Sequence, residues 1–330
     1  GWHAQGCLVT LPGSAPTCSV LAATAHEQEE HTIRRILVTG ANKGIGLATV
    51  AAILEGYPDT SVFLGARNSD LGEQALASLL LAHPQWQARL DLLQLDVTSD
   101  ASVSSARDRV MASVGDNDTP LYAVVNNAGI GLGSADLAAV VAVNTLGVKR
   151  VCDAFMPLLQ PGGRIVNISS ASGPKFVSEC HPRRQAFFKD TRLDWSDLQQ
   201  LIDEVLAGAQ RQPASDATFA ALGMGSYNPY GFSKACTTLY TLLLARDHPQ
   251  WLINACTPGY IETDLTRTQA QQRGVTPSEM GMKPPQAGTV APLHLLFDDN
   301  PGSGRYYGSD AKRSPLDHYR APGSPAYTGD

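Results

Sequence analysis

The 330-residue sequence predicts an α/β domain: a doubly wound, mostly parallel sheet with helices on both faces. Three observations carry this. From Arg35 onward, short apolar runs alternate with stretches of helical periodicity. The runs are apolar at successive rather than alternate positions, as expected of strands buried on both faces. A glycine-rich turn joins the first run to the first helix.

Ile36-Leu37-Val38 reads as the first strand and Ile45–Leu54 as the helix after the turn. Ser61–Leu64 is the second strand, followed by a helix over Asp70–Leu81. Leu92–Leu95 and a helix over Ala101–Val114 form the third unit, and Tyr122–Val125 is the fourth strand. One long helix is predicted from Leu137 to Leu159, then a fifth strand over Arg164–Ile168. Pro229 suits the first turn of a helix, where its missing N–H costs nothing, and the apolar rhythm continues to Asp247. Leu252–Ala255, a helix near Pro285–Phe297 and a strand at Arg305–Tyr307 close the pattern. About 60 residues separate the fifth strand from the Pro229 helix, too many for a plain loop. Within them Trp195–Ala209 is amphipathic, so a small helical insertion is expected over about 174–226.

The domain spans 35–310. Residues 1–34 lack any Lys or Arg before Arg34 and read as a disordered extension. Its apolar patch, Cys18–Ala25, leaves a targeting role open, although transit peptides are usually Arg-rich. The Pro- and Gly-rich end, 311–330, reads as a flexible tail. The net charge of -6 comes without a basic stripe, which argues against a nucleic-acid partner. No apolar run approaches the length of a membrane span. The six cysteines are scattered and the eight histidines lack ligand spacing, so neither a disulfide framework nor a metal site is expected. A reducing, cytoplasmic setting is the simple reading.

Thr39-Gly40-Ala41-Asn42-Lys43-Gly44-Ile45-Gly46 lies at a strand end and a helix start. Glycines allow tight turning and close backbone approach to a pyrophosphate, and the helix N-terminus offers free N–H groups to it. In that context the loop marks a Rossmann-type dinucleotide site. The second strand ends Leu64-Gly65-Ala66-Arg67-Asn68, without the acid that would hold a ribose 2′-hydroxyl. Arg67 and Lys43 are cations suited to a 2′-phosphate, which favours NADP(H) over NAD(H). Asp96 and Val97 follow the third strand; Asp96 either accepts from an adenine amino group, with Val97 on the ring, or caps the next turn. Asn127, Ala128 and Gly129 end the fourth strand, where small residues let a cofactor cross the sheet edge. Asn144 is a poor helix former inside the long helix; it is either a tolerated polar residue or the holder of a relay water. Ser169 and Ser170 end the fifth strand, and alternation lets only one face the crevice.

Tyr230 and Lys234 share one helix face, one turn apart. A cation near a phenol favours the phenolate, so Lys234 is expected to lower the Tyr230 pKa from about 10. Such a tyrosine can give and take protons near neutral pH. After the sixth strand, Pro258, Gly259, Tyr260, Ile261 and Thr263 provide a turn, backbone groups and a hydroxyl suited to a carboxamide.

Together and in order, these motifs resemble the short-chain dehydrogenase/reductase family over roughly residues 35–310. The insertion before Tyr230, with Val38–Gly46 and Asn254–Gly259, is most similar to the carbonyl reductase branch, and also to plant menthone- and salutaridine-type reductases. The resemblance implies a catalytic set of Asn144, Ser170, Tyr230 and Lys234. It makes Ser170 the serine that orients a substrate oxygen and Tyr230 its proton donor. It gives Lys234 the nicotinamide ribose, and Ile261 and Thr263 the carboxamide. It also implies a monomer, because the insertion covers a face used elsewhere for oligomerisation. Three departures bear on substrate: Tyr260 stands where Trp is common, Thr257 where Cys is common, and the segment before Asn144 is short, leaving one pocket wall reduced. The expected activity is NADPH-dependent reduction of an aldehyde, ketone or quinone, or the reverse oxidation, with Ser170, Tyr230 and Tyr260 at the small-molecule substrate. The alternatives are a non-catalytic NADP(H)-binding sensor or scaffold, and a dehydrogenase for a dedicated terpenoid or alkaloid alcohol. Sensors of this family usually lose the tyrosine or lysine, both retained here.

Overall fold

A computed structural model describes residues 33–113, 121–131, 136–211 and 215–329. The extension predicted to be disordered lies outside them as far as residue 32. The chain alternates β1 (Arg34–Val38), α1 (Gly44–Gly56), β2 (Thr60–Ala66), α2 (Ser69–Ala82), β3 (Leu90–Gln94), α3 (Asp100–Ala112) and β4 (Leu121–Asn126). There follow α4 (Leu137–Val141), α5 (Gly147–Phe155), β5 (Leu159–Ile168), and four helices of the insertion. These are α6 (Ser172–Glu179), α7 (Pro182–Lys189), α8 (Trp195–Arg211) and α9 (Asp216–Ala221). The chain then runs through α10 (Pro229–Asp247), β6 (Leu252–Cys256), α11 (Asp264–Arg273), α12 (Val290–Phe297) and β7 (Arg305–Tyr307).

The strands form one sheet in the order β3-β2-β1-β4-β5-β6-β7, and every pairing between them is parallel. The order reverses between β1 and β4, so connections leave in opposite directions and a crevice opens above their carboxyl ends. One apolar cluster fills each face. Leu37, Val124, Ile165 and Ile253 point to one, Ile36, Val38, Val125 and Val166 to the other. This is why the strands read as unbroken apolar runs.

The long helix predicted over 137–159 is interrupted. A π-helical turn, Ala142–Leu146, separates α4 from α5, and Pro157 stands in the short 3-10 turn that ends the run before β5. The predicted amphipathic helix of the insertion is α8, with Leu198, Leu201, Ile202 and Val205 buried. Short α6, α7 and α9 carry too few turns for periodicity to reveal them. Their anchors are aromatic. Phe176 meets Phe188, Phe219 and Phe232 edge-on, with centroids 6.1, 6.3 and 5.9 Å away. Phe232 belongs to α10, so the insertion is fastened to the helix that carries Tyr230 and Lys234. No helix among the described residues is long and apolar enough to cross a membrane.

The segment predicted to be a flexible tail is tied down over 311–329. Tyr307 and Arg313 form an antiparallel bridge, and Ser314 donates its backbone N–H to the Tyr306 carbonyl at 2.8 Å. Arg320 makes an ion pair with Asp310 that leaves its side chain only 7% exposed, and Lys189 pairs with Asp317 at 2.6 Å. Turn-rich composition suggested looseness, but these long-range charge pairs have no signature in local sequence. Removing one partner of a largely buried pair leaves the other uncompensated. Arg320→Ala is therefore expected to lower stability by about 2–4 kcal/mol, read as an earlier urea midpoint.

Candidate active site

The glycine loop is shaped by what cannot fit beside it. Gly40 has φ +62°, and a Cβ there would lie 2.8 Å from the Ala128 Cα. A Cβ on Gly46 would lie 2.5 Å from Asn127 Nδ2 and 2.6 Å from the Gly40 carbonyl. The end of β4 clamps the loop in return. Asn127 Nδ2 donates to the carbonyls of Thr39 and Gly40 at 2.9 and 3.0 Å. Thr39 Oγ1 accepts from the N–H groups of Asn127 and Ala128 at 3.0 and 3.1 Å. No side chain caps the start of α1, whose leading N–H groups stay available to an anion.

Above the loop is a cleft of about 570 Å³, within the range of small-molecule sites. Gly40, Asn42, Lys43, Gly44, Ile45, Arg67, Asp96, Val97, Asn127, Ala128, Gly129, Tyr230, Lys234, Pro258 and Thr263 line it. Three residues predicted for the cofactor are not on its wall. Gly46 acts from behind, by admitting Asn127. Gly259 supplies a turn at φ +95°. Ile261 is buried, and its carbonyl accepts from Thr266 Oγ1 at 2.7 Å. The glycine cradle, the uncapped helix end and two cations on one wall fit a phosphorylated dinucleotide. Arg67 makes no ion pair among the described residues, whereas Lys43 Nζ lies 2.6 Å from Asp264 Oδ2. Asp96 caps the turn with Oδ1, which accepts from the N–H and Oγ1 of Thr98 at 2.9 and 2.7 Å. Withdrawal from water pushes its carboxyl up, but the Thr98 bonds and the nearby Arg67 and Arg150 prevail and hold it low. Asp96 also lines the cleft.

The strand-end serines divide as alternation requires. Ser169 is buried, its hydroxyl meeting the Lys234 carbonyl at 3.1 Å and Thr238 Oγ1 at 2.7 Å, although it and not Ser170 counts among the residues lining the cleft. Ser170 Oγ accepts from the Ser172 N–H at 3.1 Å and stands close enough to the Tyr230 hydroxyl to draw its pKa down. Lys234 is 4% exposed; its Nζ donates to the Ile168 carbonyl at 2.7 Å and lies 5.7 Å from the Tyr230 ring centre. Asn144 sits in the π turn. Its Oδ1 accepts from the Ile130 N–H at 2.9 Å, and its Nδ2 donates to the Ile130 carbonyl at 2.9 Å and Ser233 Oγ at 3.0 Å. The Asn144 carbonyl accepts from Thr237 Oγ1 at 2.6 Å. Asn144 therefore fixes the β4 loop and α10 together, and one lone pair of its carbonyl is already engaged.

The electrostatics differ from the expectation for Tyr230. Burial pushes its pKa up, and the Ser170 hydroxyl pulls only partly the other way. Burial also draws Lys234 down to about 8. The lowering anticipated from spacing alone is outweighed because both groups leave water together, and the ammonium is turned toward Ile168.

Tyr260, expected at the substrate, is not among the residues lining the cleft; it is 38% exposed and donates to Gln269 Oε1 at 3.0 Å. Thr263 starts α11 in a capping box with Thr266. Part of the short segment before Asn144, 132–135, lies outside the described residues. Sequence reasoning missed the clamp by Thr39, and the charged group Glu262, Asp264 and Arg267 on the cleft wall. Asp264 carries a local signal as an acid in a helical first turn. No metal-binding cluster of His, Cys, Asp or Glu occurs among the described residues.

A family model for short chain dehydrogenases matches residues 34–181. Carbonyl reductase [NADPH] 3 of Mus musculus is 30% identical over 273 residues, covering 77% of this chain and 92% of that protein. Carbonyl reductase [NADPH] 1 of Macaca fascicularis is 30% identical over 282 residues, covering 80% and 91%. Among solved structures, salutaridine reductase from Papaver somniferum superposes with a TM-score of 0.68 at 24% identity, covering 83% of this chain and 99% of that one. An NADPH-bound carbonyl reductase from chicken fatty liver gives 0.59 at 22%, covering 86% and 98%. These two structural likenesses establish the fold. Gly46→Ala is expected to abolish NADPH binding while the protein still folds, as measured by nucleotide fluorescence alongside circular dichroism.

Proposed function

Because the chain belongs to the short-chain dehydrogenase family, we propose that it reduces the carbonyl of an aldehyde, ketone or quinone to an alcohol with NADPH. The observation that carries this reading is Tyr230 on the wall of the cleft above the glycine loop, with the Lys234 ammonium one turn on and 5.7 Å from its ring centre. The names of the carbonyl reductase relatives, which specify NADPH, support the cofactor, as do Arg67 and the missing acid after β2.

Bound NADPH supplies the hydride. The chain's own residues do the rest. Tyr230, kept protonated by burial, is in the donor form that reduction needs, and gives its proton to the oxygen that gains negative charge. Ser170 is placed to donate to the same oxygen and fix its position. Lys234, with one N–H used on Ile168, has two left for ribose hydroxyls and keeps positive charge beneath the phenol. Asn144 holds the Ile130 loop and α10 in register, and the second lone pair of its carbonyl can carry a relay water. Pro258 and Thr263, on the cleft wall, face the carboxamide end. Packing of α7 and α8 against α10, with the Trp195 ring 5.4 Å from that of Tyr240, supports a monomer.

Tyr230→Phe is expected to cut kcat with an aromatic aldehyde or quinone by at least ~10³-fold without weakening NADPH binding. Undiminished turnover in a stopped-flow NADPH-oxidation assay contradicts the proposal. Lys234→Met tests the electrostatics. An ammonium held at about 8 against its ordinary 10.5 is bound more tightly to its proton in the unfolded chain, so the burial penalty is fully present below pH 8 and fades as pH rises toward 10.5. The methionine variant is expected to lose activity yet gain ~1–2 kcal/mol of stability at pH 7, after allowing for the lost Ile168 bond. Denaturant titration at pH 7 and pH 10 should show the advantage shrinking.

A further inference from the structure

The glycine loop and the start of α11 meet across the mouth of the cleft. A Cβ on Gly44 would lie 3.3 Å from Thr263 Cγ2. Lys43, immediately before that glycine, reaches over to Asp264 at 2.6 Å. The other oxygen of Asp264 accepts from Arg267 Nη1 at 2.8 Å, and Arg267 Nε reaches Glu262 Oε1 at 3.0 Å. All four side chains line the same cleft, so two acids cancel two cations on the wall that carries Lys43, a cation suited to a 2′-phosphate. Arg67, after β2, makes no ion pair among the described residues, although Asp96 stands near it.

We infer that Asp264 is a specificity-determining residue for the cofactor: it holds Lys43 away from the 2′-phosphate and so limits how strongly the site prefers NADPH over NADH. This rests on NADP(H) occupying the cleft and not on the identity of the substrate. The pair is exposed at both ends, 64% for Lys43 and 56% for Asp264, so it is weak and screened by salt. A weak pair can be exchanged. A phosphate bearing two charges outcompetes one carboxylate for the ammonium, and Asp264 reclaims Lys43 as the nucleotide departs. Hydrogen bonding from Lys43 is the leading cause that keeps the Asp264 carboxyl below its ordinary range, as a standing pair requires.

The test is direct titration of NADPH and NADH against the full chain and its Asp264→Asn, Lys43→Ala and doubly substituted variants, at low and high salt. Asn keeps the shape of Asp264 and its acceptor oxygen but removes the charge. Asp264→Asn is expected to tighten NADPH binding about three- to fivefold at low ionic strength, and NADH less than twofold. The gain should vanish in 0.5 M salt, on the order of a few Å in screening length, and should be absent when Lys43 is alanine. Unchanged or weaker NADPH binding by Asp264→Asn overturns the inference. So does a gain that persists without Lys43, which would make Asp264 a plain repelling charge. If the unaltered chain binds neither nucleotide, the cofactor reading itself falls and takes this inference with it.

Discussion

A lysine ammonium buried to 4% exposure, with the Ile168 carbonyl as its hydrogen-bond partner, is the constraint around which this molecule is built. Burying such a charge is costly, and only a rigid surround keeps it in place. The surround is α10, whose residues from Gly231 to Ala245 are all buried although the helix is rich in serine and threonine. Those hydroxyls are satisfied within the helix. Thr238 and Thr241 donate to the carbonyls four residues back, at 2.9 and 2.7 Å, and Thr237 shares its one O–H between the Ser233 and Asn144 carbonyls at 2.8 and 2.6 Å. A helix that absorbs its own polar groups can lie flat on β5 and β6 and carry Lys234 beneath the cleft.

Asn144 extends that logic to the neighbouring helix. A π turn frees its carbonyl from the regular ladder, and Thr237 of α10 occupies it. The same residue's amide binds both backbone groups of Ile130. Behind it, Asn126 donates to Asn167, which donates to Thr241, crossing β4, β5 and α10 in two steps of 2.9 Å. Tyr230 and Lys234 thus stand on a buried polar network rather than on an oily core, and such a network specifies one arrangement because each member has few ways to be satisfied.

The sheet was legible because parallel strands buried on both faces leave continuous apolar runs, and the glycine loop because its conformation excludes side chains. The choice of Ser170 over Ser169 needed family likeness, since alternation says that one faces in without saying which. The direction of the Tyr230 shift was misread. Spacing reports the distance between phenol and ammonium along a helix, but not the water both lose. Lys43 was read as an available cation because its partner Asp264 lies 221 residues away. The break at 142–146 escaped notice for a related reason. A π turn leaves the apolar pattern almost intact, and only the stranded asparagine hinted at it.

The fastened C-terminal segment has a consequence for the sheet's border. β7 is the last strand, three residues long, and an uncovered border strand invites a neighbouring molecule to extend the ladder. Here Arg313 and Ser314 occupy hydrogen-bonding groups of Tyr307 and Tyr306, and Tyr327 donates back to Arg313. Residues 313–327 thereby form a selvedge along β7, occupying groups through which a further strand would be stitched on.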